Sequence, residues 1–176
     1  MKLYLIRHGK TLWNEKDLLQ GKSDIPLSKD GIEKAKKLIT YFKNKKIDMC
    51  FSSPLERAYM TAKIVFPNLN VIKEDKIIER NLGEFEGKSH KEYSLYEFWN
   101  YKLNSNYKKV EPVKDLLKRS KEFLDEIKEK YPNKNIAVVS HGAFLKALHY
   151  TIVGYSEDEK FDKFQIDNCE VKEYEI

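Results

Sequence analysis

Two short apolar segments of this chain each end in a histidine followed by a glycine. Residues 3–6 lead into Arg7-His8-Gly9, and the β-branched run at 136–139 leads into Ser140-His141-Gly142. Continuous apolar runs of this length are typical of strands that are covered on both faces, and segments of helical periodicity separate them here. Strands that alternate with helices predict an α/β fold, a three-layer α/β/α sandwich with a mostly parallel central sheet.

The remaining periodicity places further elements along a single domain, residues 1–176. Ser28 is a suitable N-cap for a helix that continues to Phe42, and Pro54 fits the first turn of the helix that follows it. Beyond these, we predict helices at 55–66, 113–131 and 143–153 and short strands at 47–51, 71–72, 164–166 and 169–176. The long middle segment, at about 81–112, is interpreted as a small helical cap or lid inserted in the domain.

Lysine dominates the charge of the chain. Of the 33 basic residues against 28 acidic ones, only four are arginines, namely Arg7, Arg57, Arg80 and Arg119. The lysines interleave with Glu and Asp, as at 122–130, which is typical of a solvated surface. We therefore expect no nucleic-acid partner despite the net charge of +5. Arginine offers a planar fork for phosphate or carboxylate, so its few positions are informative.

Several classes of protein are excluded by simple patterns. No apolar run approaches the roughly 18–20 residues that a membrane-spanning helix needs, so we expect no membrane partner. Cys50 and Cys169 are isolated, which argues against a disulfide framework or a zinc site. The first motif with chemistry begins at Arg7, so we expect no cleaved targeting segment and a cytoplasmic location. The number of subunits is not predicted.

The two histidines point to one ligand site. In open α/β sheets the carboxyl ends of the strands form the ligand crevice, so His8 and His141 are expected to share it. Arg57 lies one helical turn after Pro54, where the backbone N–H groups of a helix N-terminus favour an anion. This combination predicts an anionic ligand. We interpret Arg80 as a surface residue, and His90 and His149 as ordinary polar and helical positions.

Four ordered motifs make a family recognisable. They are Leu5-Ile6-Arg7-His8-Gly9-Lys10-Thr11-Leu12-Trp13-Asn14 with Gln20-Gly21, then Ser52-Ser53-Pro54-Leu55-Glu56-Arg57-Ala58, Glu79-Arg80-Asn81-Leu82-Gly83, and Val139-Ser140-His141-Gly142. The series resembles the histidine phosphatase superfamily, in its phosphoglycerate mutase-like branch. The resemblance implies a metal-independent phosphomonoester hydrolase that acts on a small phosphorylated metabolite and needs no cofactor.

The resemblance also implies roles for individual residues. His8 would attack phosphorus and form a phosphohistidine, a reaction open to neutral imidazole near neutral pH. Arg7, Arg57 and His141 would surround the phosphoryl oxygens.

The acid is assigned to Glu79, which would protonate the leaving alkoxide and later deprotonate water. Glu84 and Glu86 lie nearby and stay open as alternatives. Asn14 matches a phosphoryl-binding position of the family, and Gln20 and Gly21 are assigned to phosphate or substrate binding.

Six aromatic residues occupy the middle segment: Tyr93, Tyr96, Phe98, Trp99, Tyr101 and Tyr107. One interpretation is a cap that packs its rings inward. The other is a lid whose rings, Trp99 in particular, contact the organic part of the substrate. α-Ribazole phosphate, phosphoglycerates and sugar phosphates all stay open as substrates.

Other functions compete with the phosphatase. A cofactor-dependent phosphoglycerate mutase would share the motifs, but such mutases are longer, and Leu82 stands where they usually carry a substrate-contacting Tyr. A non-catalytic phosphate-binding regulatory protein is a second alternative. A metal-dependent hydrolase built on His8, His141, His149 and Glu79 is a third, and it lacks close ligand spacing.

Overall fold

A computed structural model describes residues 1–92, 95–102, 107–158 and 160–176 of the chain. Its strands are β1 (Lys2–Arg7), β2 (Met49–Ser52), β3 (Val71–Lys73), β4 (Asn135–Ser140) and β5 (Val171–Glu175). Its α-helices are α1 (Leu12–Glu15), α2 (Lys29–Phe42), α3 (Glu56–Val65), α4 (Leu95–Phe98), α5 (Val113–Lys130) and α6 (Gly142–Val153). No helix in these ranges is long and apolar enough to cross a membrane.

The five strands form one sheet in the order β3-β2-β4-β1-β5. All neighbours run parallel except β1 and β5, which are antiparallel. In the central pair, Arg7 of β1 lies opposite Ser140 of β4. This register brings the two residues that follow these strand ends, His8 and His141, side by side.

Helices cover both faces of the sheet because successive residues of a strand point to opposite sides. Leu3 and Leu5 of β1 belong to a core cluster with α5 and α6. Tyr4 and Ile6 belong to a second cluster with α2 and α3. The predicted α/β sandwich with its mostly parallel sheet is confirmed.

One predicted strand is wrong. Residues 164–166 are not a strand, although Phe164 and Ile166 are buried and Gln165 is exposed, which is the alternation of a strand. The edge beside β1 is taken by β5, so this segment packs as a loop instead. Its Ile166 carbonyl accepts a hydrogen bond from Arg7 Nη1 at 2.8 Å, which ties the loop to the end of β1.

The middle segment at 81–112 consists of short helical turns in its described part. Four of its residues, Leu82, Phe85, Phe98 and Val110, form a small apolar cluster with Leu19. Tyr93 and the side chains of Tyr96 and Tyr107 lie outside the described part of the chain. The interpretation of this segment as a lid stays a prediction.

Candidate active site

His8 and His141 meet at the carboxyl ends of the two central strands. Their ring centroids are 5.0 Å apart, and both side chains are buried. Nδ1 of His8 lies 2.7 Å from the carbonyl oxygen of Gly9, which can only accept, so Nδ1 carries the proton. The lone pair of the neutral ring is therefore on Nε2, the nitrogen that can attack a ligand.

Burial and two arginines keep His8 uncharged. The pKa of His8 lies well below its usual range because the ring is desolvated and because Arg57 and Arg7 repel a second positive charge. Desolvation is the larger of these causes. A neutral His8 is a competent nucleophile below neutral pH as well as at it.

His141 is fixed by a hydroxyl group that the sequence argument did not assign. Its Nε2 lies 2.7 Å from Oγ of Ser53, which follows β2. Burial, with Arg57 and His8 adding, also lowers the pKa of His141 well below its usual range. Its Nδ1 is buried and has no hydrogen-bond partner among the described residues.

The two arginines of the site are anchored through backbone carbonyls. Arg57 donates from Nη1 to the Ser23 carbonyl at 2.7 Å and from Nη2 to that of Gly21 at 2.8 Å. The Nε atoms of Arg7 and Arg57 are buried without a partner among the described residues. Burial lowers the pKa of Arg57 to about 10, so the guanidinium stays charged. With Nδ1 of His141, these are three buried polar nitrogens that an anion would satisfy.

The loop that accepts from Arg57 is held by Glu86. Its Oε1 accepts from Lys22 N at 2.9 Å, and its Oε2 accepts from the backbone N and the hydroxyl of Ser23 at 3.0 and 2.6 Å. Gly21 has φ +53°, and a Cβ there would lie 2.1 Å from Oε1 of Glu86. The loop and the carboxylate therefore fit only with glycine at this position.

Glu79 brings a carboxylate to the site beside the start of α6. Its Oε1 accepts from the backbone N of Arg80 at 2.8 Å and of Phe144 at 3.1 Å, and its Oε2 from Ala143 N at 3.3 Å. The carboxylate thus lies at the N-terminus of α6, next to His141. Neither Glu84 nor Glu86 lines the cavity, which favours Glu79 as the acid.

Arg80 and Arg119 hold the segment that carries Glu79. Arg119 donates to the carbonyls of Lys76 and Ile78, both at 2.7 Å, and pairs with Glu111. Arg80 donates to the carbonyls of Glu111 and Phe98. The assignment of Arg80 to the surface is wrong: its side chain is only 2% exposed, because it packs against Phe98 and Trp99.

Asn14 and Gln20 both form hydrogen bonds with Thr11. Oδ1 of Asn14 accepts from Thr11 N at 3.1 Å, which closes a capping box at the start of α1. The hydroxyl of Thr11 lies 3.0 Å from Oε1 of Gln20. With its oxygen engaged, Asn14 presents its amide nitrogen as the group that can donate to a ligand.

These residues line one cavity of about 320 Å³. Eight of the nine predicted site residues contribute to its wall: Arg7, His8, Asn14, Gln20, Gly21, Arg57, Glu79 and Trp99. The ninth, His141, is fully buried against His8. The structure therefore brings all nine together.

Other parts of the wall are not among the nine predicted site residues. They are Leu18, Leu19, Leu82, His90, Phe98, Gly142, Ala143, Lys146 and the segment 164–167. A helical projection from Gly142 could have found Lys146, since residues four apart share a face. The loop at 164–167 comes more than ten residues after the end of α6, and no local sequence pattern indicates that it returns to the cavity.

His149 lies outside this cavity. Its Nδ1 is 2.7 Å from the hydroxyl of Tyr174, and its ring stacks on Phe164 with centroids 4.4 Å apart. It therefore does not join His8, His141 and Glu79, as the metal-site alternative requires. In the described ranges no three His, Cys, Asp or Glu side chains are grouped to hold a metal ion.

Fold and site together define a phosphoryl-transfer enzyme with a histidine nucleophile. An unprotonated imidazole faces unpaired cationic donors, and a carboxylate stands beside them to move a proton. Residues 3–176 match the family model of the histidine phosphatase superfamily, branch 1, and the chain belongs to this family. Relatives in the family carry the names of phosphatases and of phosphoglycerate mutases.

Three comparisons place the chain within the family. It is 32% identical to phosphoserine phosphatase 1 of Hydrogenobacter thermophilus over 96% of this chain and 83% of that protein. A histidine-to-alanine mutant of the Entamoeba histolytica phosphoserine phosphatase, solved with phosphoserine, superposes with a TM-score of 0.88 at 28% identity, covering 98% and 89% of the two chains. The α-ribazole phosphatase of Shigella flexneri superposes with a TM-score of 0.87 at 28% identity, covering 100% and 91%.

Proposed function

We propose that this protein hydrolyses a small phosphomonoester in two steps, with His8 as the covalent carrier. The observation that carries the proposal is the cluster of unpaired buried nitrogens on Arg7, Arg57 and His141 around the neutral ring of His8. A phosphoryl group is the anion that these donors fit, because it offers several acceptor oxygens to a planar guanidinium.

In the first step the lone pair of His8 Nε2 forms a bond to phosphorus as the bond from phosphorus to the leaving oxygen breaks. The cycle begins with Glu79 protonated, and Glu79 gives this proton to that oxygen, so an alcohol leaves and Glu79 becomes a carboxylate. Arg7 and Arg57 hold the negative charge of the phosphoryl oxygens in a desolvated site, where fixed charges act strongly.

The second step returns the enzyme to its starting state. Glu79 takes a proton from water, the water oxygen bonds to phosphorus, and the P–N bond to His8 breaks. Inorganic phosphate leaves, the lone pair returns to Nε2, and Glu79 is again protonated. The cations of the site supply the charge stabilisation that a metal provides elsewhere, so we expect full activity after exhaustive chelation.

The decisive experiment is phosphoenzyme trapping. Wild-type protein mixed with a labelled phosphomonoester should form an acid-labile, alkali-stable adduct, and His8→Ala should form none and lose turnover. Labelling and turnover retained in His8→Ala would overturn the mechanism. A folded wild type that neither labels nor turns over would instead support a phosphate-binding regulatory protein.

The mutase alternative is tested with substrates. Leu82 is buried in the apolar cluster with Phe85 and Phe98, and its side chain has no hydroxyl group to offer a phosphoglycerate. We expect hydrolysis of p-nitrophenyl phosphate and little isomerisation of 3-phosphoglycerate in the presence of its bisphosphate. Efficient isomerisation without hydrolysis would favour the mutase.

The names of the relatives make phosphoserine, phosphoglycerates and α-ribazole phosphate the substrates to try first. Residues 81–112 serve in this proposal as a lid over the cavity, with Trp99 in its wall. We place the activity in the cytoplasm, which fractionation of cells that produce the protein would check.

A further inference from the structure

Lys146 stands out among the cations of the cavity. It lies on α6 and lines the same cavity as His8 and Glu79. Within the described ranges it has neither a hydrogen bond nor an ion pair within 4.0 Å.

The surroundings of Lys146 are apolar and cationic. Its Nζ lies 4.6 Å from the centre of the Trp99 ring, and Cζ of Arg80 lies 4.8 Å from the same ring. Burial lowers the pKa of Lys146 to about 8, and Arg80 adds to this, while Asp162 acts in the opposite direction. The amine thus still carries its proton at neutral pH, in a place where an unpaired charge is costly.

The carboxylates of the cavity wall do not neutralise Lys146. Glu79 is engaged by the backbone N–H groups of Ala143 and Phe144 at the start of α6. Asp167 is exposed, and its charge acts on Arg7. Asp162, whose charge raises the pKa of Lys146, is exposed, does not line the cavity and forms no ion pair with Lys146 within 4.0 Å, so a negative group that contacts Lys146 inside the cavity has to come with the ligand.

The spacing along α6 sets where that group lies relative to the phosphoryl group. A Cβ on Gly142 would lie 3.5 Å from Cζ of Arg7, so the start of α6 packs on the phosphate-binding guanidinium. Lys146 follows four residues later, about one helical turn or roughly 6 Å along the axis. The flexible side chain of Lys146 starts one turn from the phosphate-binding guanidinium, so a carboxylate a few carbons from the phosphate ester is within its reach.

We propose that Lys146 binds a carboxylate on the organic part of the substrate, which makes phosphorylated hydroxy acids or amino acids the preferred substrates. The proposal rests on the phosphatase function proposed above. Trp99 forms the wall beside the same lysine, so the ring lies along the carbon chain rather than at the reacting phosphorus. Lys146 acts in specificity, not in the chemical step.

Matched substrates test the proposal on the wild-type enzyme. O-phosphoserine and O-phosphoethanolamine differ in the carboxylate alone, and 3-phosphoglycerate and glycerol 3-phosphate differ by a carboxylate in place of a hydroxymethyl group. We expect kcat/KM to be at least about tenfold higher for the substrate of each pair that carries the carboxylate, because its contact with the lysine is charge-assisted. Equal values within twofold would overturn the proposal without any variant.

Variants assign the preference to this side chain. Lys146→Gln should lower kcat/KM about tenfold or more for the two carboxylates, chiefly through KM, and change it less than threefold for the other two substrates. Lys146→Arg should keep most of the preference. Lys118→Gln, an exposed change on α5, is the matched control and should alter neither.

The outcomes separate the two proposals. If the wild type hydrolyses no phosphomonoester, p-nitrophenyl phosphate included, the phosphatase function fails. If it hydrolyses them and Lys146→Gln lowers kcat/KM equally for all four substrates, or for none of them, the carboxylate site is wrong while the phosphatase function stands. A Lys146-dependent preference for fructose 1,6-bisphosphate over both carboxylates would also overturn it, in favour of a second phosphate.

Discussion

Each of the four arginines donates to at least one backbone carbonyl of another segment of the chain. Their acceptors are Ile166 for Arg7, Gly21 and Ser23 for Arg57, Phe98 and Glu111 for Arg80, and Lys76 and Ile78 for Arg119. A guanidinium can hold two loops or a loop and a ligand at once, because it has five donors in a fixed plane. Lysine lacks this geometry, which explains why a chain so rich in lysine keeps arginine at these four positions.

Glu79→Gln should slow the reaction of alkyl phosphates much more than that of p-nitrophenyl phosphate. A glutamine cannot give a proton, so hydrolysis of an alkyl phosphate such as glycerol 3-phosphate should fall by about 10²–10⁴-fold. Formation of phosphohistidine from p-nitrophenyl phosphate should fall much less, because p-nitrophenolate leaves without a proton. Rapid-quench measurement of both phosphoenzyme rates gives the comparison.

Glu84→Gln is the matched control, because Glu84 is exposed and does not line the cavity. It should leave both phosphoenzyme rates unchanged. An equal loss for the two leaving groups in Glu79→Gln would mean that Glu79 positions the site rather than donates a proton.

At the scale of elements, the ends of β1 and β4 could be predicted because both signals are local. An apolar run followed by Arg7-His8-Gly9 or Ser140-His141-Gly142 marks a strand and its end, and parallel pairing then brings the histidines together. The segment 164–166 was mistaken for a strand because a loop that buries every second residue shows the same alternation. Ser53 was missed because its role depends on a contact between distant elements, whereas Lys146 could have been found from its helical spacing to Gly142.

Glu86 should act on catalysis through the loop at 21–23. Glu86→Ala removes three hydrogen bonds to Lys22 and Ser23, so the carbonyls that hold Arg57 lose their support. We expect kcat/KM for p-nitrophenyl phosphate to fall by about 10–100-fold, a range in which misplaced site groups fall. Steady-state kinetics beside a thermal unfolding curve measures the effect.

Glu86→Gln keeps an acceptor oxygen and should recover part of this loss. A merely structural role would instead lower the thermal midpoint in Glu86→Ala while kcat/KM of the folded protein stays at the wild-type value. That result would show that Glu86 does not act on catalysis through the position of Arg57.

At the scale of the whole molecule, the site is built at the expense of stability in acid. His8 and His141 are buried and neutral, and both have a pKa well below 6.5 in the folded protein. Below that pH the unfolded chain binds protons at these two residues and the folded protein does not. The free energy of unfolding must therefore fall as the pH falls through this range, and above it the two histidines contribute no pH dependence.

The size of this effect can be predicted for a defined window. If both rings stay neutral in the folded protein, they lower the free energy of unfolding by about 2.7 kcal/mol in total between pH 7.5 and pH 5.5. Carboxylates contribute mainly at lower pH. Hydrogen bonds from Lys130 and Lys76 lower the pKa of Glu126 to about 2, so the stability that this group contributes is lost only as the pH falls below the usual pKa of a glutamate. The window therefore reports chiefly on histidine.

Urea unfolding at the two pH values, in buffers without phosphate, measures the loss, since phosphate bound to the folded site would mask it. A variant with both His8→Asn and His141→Asn should lose most of the pH dependence in this window. The remainder is assigned to His149, whose pKa is also lowered by burial and by Lys172. An equal loss of stability in the wild type and the double variant would show that the two rings accept protons in the folded protein, and would remove the basis for a neutral nucleophile at acidic pH.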